Sequence, residues 1–403
     1  MSRALYAGLS GTLANQTRLD VIANNLANVN TVGYKERRVE FADCFYQTLQ
    51  AGRGAEQGLG MNPVQVGAGV RVASVSVLHS QGAIEATGQP LDAAIEGPGF
   101  FVVSDGSRSY LTRDGAFTLD STGKIVMSST GMKVLGWVAD TDGEVDPQGP
   151  VSDISVPIGL VRPAKATTTA WVMGNLDAGA DVGAQAYCTR LVHDSLGMEH
   201  VLQVTFQKTG VNTWSVQASC EGSNATGTLQ FDSSGELTSG GALSLSVVLA
   251  NGAETPQTIS LDLNTLTQRG AASSPVIGRQ DGFGTASLQE VVIEQGGTVQ
   301  GRFSDGSNMV LAQIATANVP NVGGLEALPK NLFVTTLASG HMDIGMPGTG
   351  NRGEIVAQSL ELSTVDITRA FVDLITTQRG FQANTRVIST AHRLLDDVIQ
   401  ILR

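Results

Sequence analysis

Apolar side chains recur along the last part of the chain at alternating intervals of four and three residues. Starting at Ile367, that stepping reaches Phe371, Leu374, Gln378, Phe381, Thr385, Ile388, His392, Leu395, Ile399 and Leu402, and eight of these eleven positions are apolar. A 3.5-residue period held for about five heptads, without proline and with only Gly380 as a weak helix former, predicts one long helix from Asp366 onward. Its stripe should pack on another helix. The opening of the chain supplies a partner: between Ser2 and Val29 there is again no proline, and Leu5, Leu9, Thr12, Gln16, Leu19, Ala23 and Leu26 follow the same stepping, with Ser2 placed to cap the start. Two matching amphipathic ends predict a helical hairpin, a coiled-coil root, with everything between them looped out. The seam is expected at Leu5, Leu9, Leu19 and Leu26 on one helix and at Ile367, Phe371, Leu374, Phe381, Ile388, Leu395, Ile399 and Leu402 on the other.

Between the two ends the pattern shifts to two-residue alternation. It begins at Val70–Val77, continues through Leu91–Val103 around the corner Gly97-Pro98-Gly99, and returns at Tyr110–Phe117 and Gly131–Trp137, a β-meander pattern. Asp-Gly pairs at 105–106, 114–115 and 142–143 predict hairpin turns. Composition agrees, since 48 of 403 residues are glycine and only 15% are charged, which favours tightly turned β-structure. The fold class expected is α+β, mainly β: terminal helices forming the root and two mainly antiparallel β-domains, the second inserted in the first. The boundaries expected are an N-terminal helix over 1–32, a linker or extended arm over 33–69, a first β-domain over 70–162 and 300–353, an inserted β-domain over 163–299, and a C-terminal helix over 354–403.

Charge and candidate chemistry remove several functions. With a net charge of −12 and no basic run longer than Arg37-Arg38, the chain lacks the footprint that phosphate contact requires, so no nucleic acid is expected. No stretch approaches the roughly 18 apolar residues of a membrane span, and the N-terminus has no apolar core followed by a cleavage site, so neither membrane insertion nor cleaved secretion is expected. Cys44, Cys188 and Cys220 are too few and too scattered for a disulfide framework or a zinc site. Asp140-Thr141-Asp142-Gly143-Glu144 has its glycine at the fourth position of a would-be calcium loop instead of the sixth, and reads as a surface turn. His193-Asp194-Ser195 contains the residue types of a hydrolase triad, but consecutive side chains on extended backbone point to opposite faces and cannot line up. No catalytic residue, cofactor or metal ligand is expected, and the chain does not read as an enzyme.

Residues 20–35 carry Asn24, Asn25, Asn28 and Asn30 ahead of Gly33-Tyr34-Lys35, four asparagines that helix propensity alone does not explain. With Leu5-Tyr6-Ala7-Gly8-Leu9-Ser10-Gly11 and Phe41-Ala42-Asp43 they closely resemble the N-terminal signature of the bacterial flagellar rod and hook family of axial proteins. Asn24 and Asn28 share a helix face and could bond neighbouring chains, while Gly33 suits a left-handed exit from the helix. Gln378-Arg379-Gly380-Phe381-Gln382-Ala383-Asn384-Thr385-Arg386 nearly matches the family's C-terminal signature, and Val192-His193-Asp194-Ser195-Leu196-Gly197 resembles a segment of its hook branch. Thr364 and His392-Arg393 depart from the usual pattern.

The resemblance implies a structural subunit polymerising into a curved tubular filament, a universal joint that passes torque from rod and motor to filament and encloses an export channel. It implies a homopolymer, with rod, hook-cap and hook–filament junction proteins and the export apparatus as partners. It also implies an extracellular place in the flagellum, reached without a cleaved signal. A distal rod subunit is the near alternative, and a secreted glycan-binding or hydrolytic β-protein the distant one. In some hook proteins a cysteine that has lost its sulfur is attacked by a lysine of the next subunit. By resemblance, Lys165 and Cys188 are candidates for such a crosslink.

Overall fold

Two helices begin and end the chain, and they pack against each other. The computed structural model describes residues 2–52, 62–140, 143–157 and 159–401, so Leu402 of the expected seam and Thr141 and Asp142 of the acidic turn lie outside the described residues. Helix α1 spans Ser2–Ala27 and α2 spans Ile367–Ile401. Asp366 caps α2, its Oδ1 accepting from the Arg369 amide at 3.1 Å. At the other helix the turn at 28–31 ends α1, and Gly33 follows with φ +67°, a conformation other residues rarely adopt. The expected C-terminal helix over 354–403 starts too early: Glu354–Ala357 and Ser359–Glu361 are strands paired with Ala93–Glu96 and Ile84–Ala86. The reason is local, because Ile355 is fully buried in strand pairing and the chain stays extended until the Asp366 cap.

The arm after α1 is also paired instead of loose. Strand β1 (Arg37–Asp43) runs antiparallel to β4 (Val70–Val77), and β2 (Tyr46–Gln50) to β3 (Val64–Gly67). This two-stranded ribbon exposes Phe45, Tyr46, Leu49 and Val64.

The chain forms two compact units. The first comprises Met1–Ile158, Val291–Gly301 and Met309–Arg403; the second comprises Gly159–Glu290 and Arg302–Asn308. In the first, the strand Lys133–Val138 lies between Phe100–Ser104 and Asn308–Ile314, and Phe100–Ser104 pairs onward with Ser109–Thr112. Phe100, Val102, Leu111, Leu135 and Phe333 fill its core. Asp105-Gly106 makes the expected hairpin turn between the last two strands, with Gly106 at φ +96°. Asp114-Gly115 does not. A side chain at Gly115 would stand 1.6 Å from the Ala93 carbonyl oxygen, so the glycine serves close backbone approach and not a turn.

In the second unit a five-stranded antiparallel sheet runs in the order Gln185–His193, Glu199–Gly210, Thr213–Cys220, Ser223–Phe231, Leu237–Ser239. A four-stranded sheet runs in the order Ala242–Val247, Gln257–Arg269, Thr169–Asp177, Val276–Gln280, with one parallel pair between its two middle strands. Leu202, Val204 and Phe206 alternate inward on one strand and Trp214, Val216 and Ala218 on the next, joining Leu245, Leu261 and Leu263 in one core.

Candidate functional site: the helix pair and its root

Along the helix pair, the burial of each residue shows which stripe is used. Gly8 lies against Ile388, Gly11 against Asn384 and Gly380 against Asn15, while Arg18 pairs with Asp373 at 3.2 Å. Numbers rise on one helix as they fall on the other, so the pair is antiparallel. On α2 the covered positions are Ala370, Leu374, Thr377, Phe381, Asn384, Ile388, Ala391 and Leu395, a four-three ladder. Of the expected seam, Leu374, Phe381, Ile388 and Leu395 face inward, whereas Ile367, Phe371 and Ile399 are about half exposed and the intervening Gln378, Thr385 and His392 are exposed. On α1 the face toward α2 is built on Gly8, Gly11, Asn15, Arg18 and Ile22; of the expected leucines Leu9 is 49% exposed, while Leu5, Leu19 and Leu26 are half-buried. Small residues win this position because they let two backbones approach closely, which a leucine would prevent.

The opposite consequence is an uncovered apolar surface. On α2, Ile367, Phe371, Val372 and Ile375 form one exposed patch and Val387, Leu394 and Val398 another on a different flank; on α1, Tyr6, Leu9 and Leu13 stand clear. Such surface is ordinarily covered by a partner.

The asparagine signature is used within the chain. Asn25, 3% exposed, donates from Nδ2 to the Arg37 carbonyl at 2.8 Å and accepts the Arg37 amide at 3.0 Å, fixing the start of β1 against α1. Its Oδ1 also accepts from the Tyr34 hydroxyl, as does that of Asn24, and Asn28 Nδ2 turns back to the Asn24 carbonyl. Asn30 is exposed at the turn. These amides set the chain reversal after α1, and Asn24 stays exposed while making its bonds. Of the C-terminal signature, Gln378 and Arg379 are exposed, while Gly380, Phe381 and Asn384 face α1.

Sequence reasoning missed the charged knot beneath the helices. Glu361, whose side chain is fully buried, accepts from Lys35 Nζ at 2.6 Å and the Gly82 amide at 2.7 Å on one oxygen, and from Arg113 Nη1 at 3.1 Å on the other. Lys35 also donates to the Ser80 carbonyl at 2.6 Å, and Arg113 to the carbonyls of Ile95 and Gly97. One knot thus ties the segment leaving α1, the segment entering α2 and the β-body. Burial pulls the Lys35 ammonium and the Arg113 guanidinium below their usual ranges, and Glu361 opposes this in both. His79 nearby is pushed down to about 4 by burial and by those two cations, and its neutral ring packs edge-on against Phe100 and Phe333. No spacing pattern marks such a knot, because its members lie far apart in the chain.

In the second unit, Asp194 is buried and ties its own turn to the loop at Asn251 and to the strand Glu199–Gly210. Its oxygens accept from the amides of Leu196 and Met198, from Asn251 Nδ2, and from His200 Nε2 at 3.1 Å. Ser195 Oγ accepts from the Glu254 amide and makes no triad with its neighbours. Lys165 is exposed, whereas Cys188 is buried in the core with its thiol pushed up to about 11 by burial.

A terminal helix pair above a β-body is accompanied by sequence likeness throughout. Models of four domains match: the flagella basal body rod protein at residues 5–35, the flagellar hook protein FlgE/F/G D1 domain at 94–168, the flagellar basal body protein FlaE D2 domain at 180–283, and the flagellar basal body rod FlgEFG protein C-terminal at 356–401. The flagellar hook protein FlgE of Treponema pallidum is 36% identical over 463 residues, covering 100% of both chains. The chain belongs to the flagellar hook protein family. The hook protein of Borreliella burgdorferi is also 36% identical over 100% of both chains, and that of Salmonella typhimurium 34% over 98% of each. The crystal structure of Helicobacter pylori flagellar hook protein FlgE2 shares the fold, with a TM-score of 0.53, 14% identity, and coverage of 69% of this chain and 100% of that one. The hook family is one of structural proteins, and its mainly β fold with packed terminal helices is the one expected from the hydrophobic pattern.

Proposed function

We propose that this chain is the structural subunit of a flagellar hook: copies of it add head to tail into a curved tube, a universal joint between rod and filament with a channel inside. The observation that carries this reading is the division of labour on the helices. The antiparallel contact consumes small and polar residues such as Gly8, Gly11 and Asn384, leaving Phe371, Ile375, Leu394, Leu9 and Leu13 for neighbouring copies. A heterologous contact repeated by a rotation that does not close builds an open helical polymer. A helix pair deprived of those neighbours should be weakly stable alone, which suits passage through a narrow export channel. Rod, hook-cap and junction proteins would meet the two ends of the tube, in the flagellum outside the cell. The role is mechanical and no catalysis is assigned.

A crosslink between Lys165 of one copy and Cys188 of the next would further fix the tube: Cys188 would first lose its sulfur as hydrogen sulfide, breaking the Cβ–S bond and leaving an alkene, and the Lys165 amine would then add to Cβ with its proton passing to Cα. Because Cys188 lies in the core, that reaction requires the strand Gln185–His193, at the edge of its sheet, to open first.

The test is assembly. The purified chain, concentrated at raised salt and viewed by electron microscopy, should grow tubes, and deletion of residues 366–403 should abolish them while leaving the β-structure in the circular dichroism spectrum. Tubes that grow equally without those residues would refute the reading.

A further inference from the structure

Asn251-Gly252 is the sole Asn-Gly pair in the chain. The pair matters chemically, because glycine has no side chain to keep its backbone nitrogen away from the asparagine amide carbon, and asparagine is among the thermally labile residues. It sits in the loop 248–256, between the strands Ala242–Val247 and Gln257–Arg269. Asn251 and Gly252 are exposed, Gly252 has φ +85°, and a Cβ built there would meet nothing within 4 Å. Water therefore reaches both residues.

The side chain of Asn251 is nevertheless held at both of its polar atoms. Its Nδ2 donates to Asp194 Oδ2 and to Met198 Sδ, the latter at 3.4 Å, and its Oδ1 accepts the Ala253 amide at 3.1 Å. Glu254 follows in the loop, its amide donating to Ser195 Oγ at 2.8 Å. Asp194 is fully buried, so its charge depends on the donors around it, and Asn251 is one of them. The clamp is local. Gln257 Nε2 donates to the carbonyls of Thr167 at 2.8 Å and His193 at 3.0 Å, which anchors the next strand without help from Asn251.

We propose that Asn251 is a spontaneous modification site, and that its loss of ammonia releases the loop 248–256 from Asp194 irreversibly. The Gly252 nitrogen bonds to Asn251 Cγ and gives up its proton, the Cγ–Nδ2 bond breaks, and ammonia departs from a cyclic imide. Water then opens either carbonyl of the imide, giving aspartate or isoaspartate, and it is the only co-reactant. Ring closure requires the amide to leave Asp194, so opening of the loop gates the rate. The product puts a carboxylate opposite Asp194 where a donor had been. Glu221 already occupies the other nitrogen of His200, and Glu254 lies further along the loop. Like charges repel there and the buried carboxylate has lost a bond, so the contact does not re-form. The inference is independent of the polymer reading.

The experiment follows residue 251 of the full chain by peptide mass spectrometry during incubation in mildly alkaline buffer, folded and in guanidinium. Exchange of the Asn251 amide for a hydroxyl is expected in both, at least about tenfold slower in the folded chain because opening must come first. Ser195→Ala removes the Glu254 bond and leaves Asn251 untouched, so it should speed the folded chain alone. Asn251→Asp tests the product. At neutral pH its second unit should unfold earlier than that of the parent and of Asn251→Ala, which loses the donor without gaining a charge. The deficit should narrow toward about pH 4, where one of the two carboxyls takes a proton and donates to the other. Equal rates folded and unfolded, or aged folded samples that still read only asparagine, would overturn the modification site. An Asn251→Asp variant as stable as the parent at neutral pH would overturn the release.

Discussion

Gly11 of α1 meets Asn384 of α2 so closely that a methyl group on the glycine would stand 2.6 Å from the amide nitrogen of Asn384. The contact depends on having no side chain on one helix and a short polar one on the other. Gly11→Leu should force the helices apart. An overpacking penalty of about 1–3 kcal/mol, localised to the helix pair, is expected. Helical signal and tube growth should drop together while the β-body unfolds at its usual temperature; an unchanged helical signal would show that the glycine is not required for close approach.

Glu361 balances two buried cations, so its charge should matter more than its volume. Glu361→Gln keeps the shape but leaves Lys35 and Arg113 buried with nothing opposite, at a cost of about 3–5 kcal/mol. For a unit of this size that is a fall in Tm on the order of 10 °C. Calorimetry should show the transition of the first unit moving and that of the second staying. Equal movement of both, or of neither, would contradict the role given to the knot.

The helices were legible in the sequence because a four-three stripe leaves an unambiguous signal, and Leu374, Phe381, Ile388 and Leu395 lie where that stripe predicts. The partner face on α1 was not, because it is built from Gly8, Gly11 and Asn15, which a search for apolar residues passes over. The strand Glu354–Ala357 was absorbed into the helix for a different reason. Only its pairing with Ala93–Glu96, far away in the chain, makes it extended. Asn24, Asn25 and Asn28 stood out from the start, but whether they bond a neighbour or their own backbone depends on where Tyr34 and Arg37 fall after the turn. The Lys35–Glu361–Arg113 knot is assembled from residues far apart in the chain, and only the fold brings them together.

Asp194 and His200 give the second unit a pH dependence with two edges. Burial raises the Asp194 carboxyl, but bonds from His200, Asn251 and two amides outweigh it and hold the group down at about 2. Its contribution is therefore present above the unfolded carboxylate range and is lost as pH falls toward 2. Burial lowers the His200 ring, but Asp194 and Glu221 together raise it above its usual value. That contribution is complete below the unfolded value of about 6.5 and fades as pH climbs through the raised one. The second unit should thus be most stable between about pH 4 and 6.5, and His200→Gln should flatten the alkaline edge and weaken the acid one, because Asp194 loses one of the bonds that hold it down. Proton titration of His200 by NMR at or below the free value would contradict the assignment.

Cys188 should behave as a core residue before assembly. With its thiol pushed up to about 11 and its side chain buried, it should resist a thiol reagent at pH 7 in the native monomer and react fully once unfolded. Isolated tubes boiled in detergent then decide the crosslink: heat-stable multimers lost in Lys165→Arg would establish it, and dissociation to monomers would exclude it.

Phe371 separates folding from assembly most cleanly. It is 49% exposed, on the flank of α2 turned away from Gly11 and Asn15, so Phe371→Ser removes little that the isolated chain uses. Monomer stability should change by no more than about 0.5 kcal/mol, the usual range for surface positions. In a tube the same ring would be covered by a neighbour, and its loss would cost each contact about 2 kcal/mol of apolar burial. That difference, repeated at every subunit, should raise the concentration needed for growth by more than tenfold with no shift in the unfolding curve. A variant that grows tubes at the parent's concentration would mean that this flank of α2 faces water in the polymer, and that the tube is held by other surfaces of the chain.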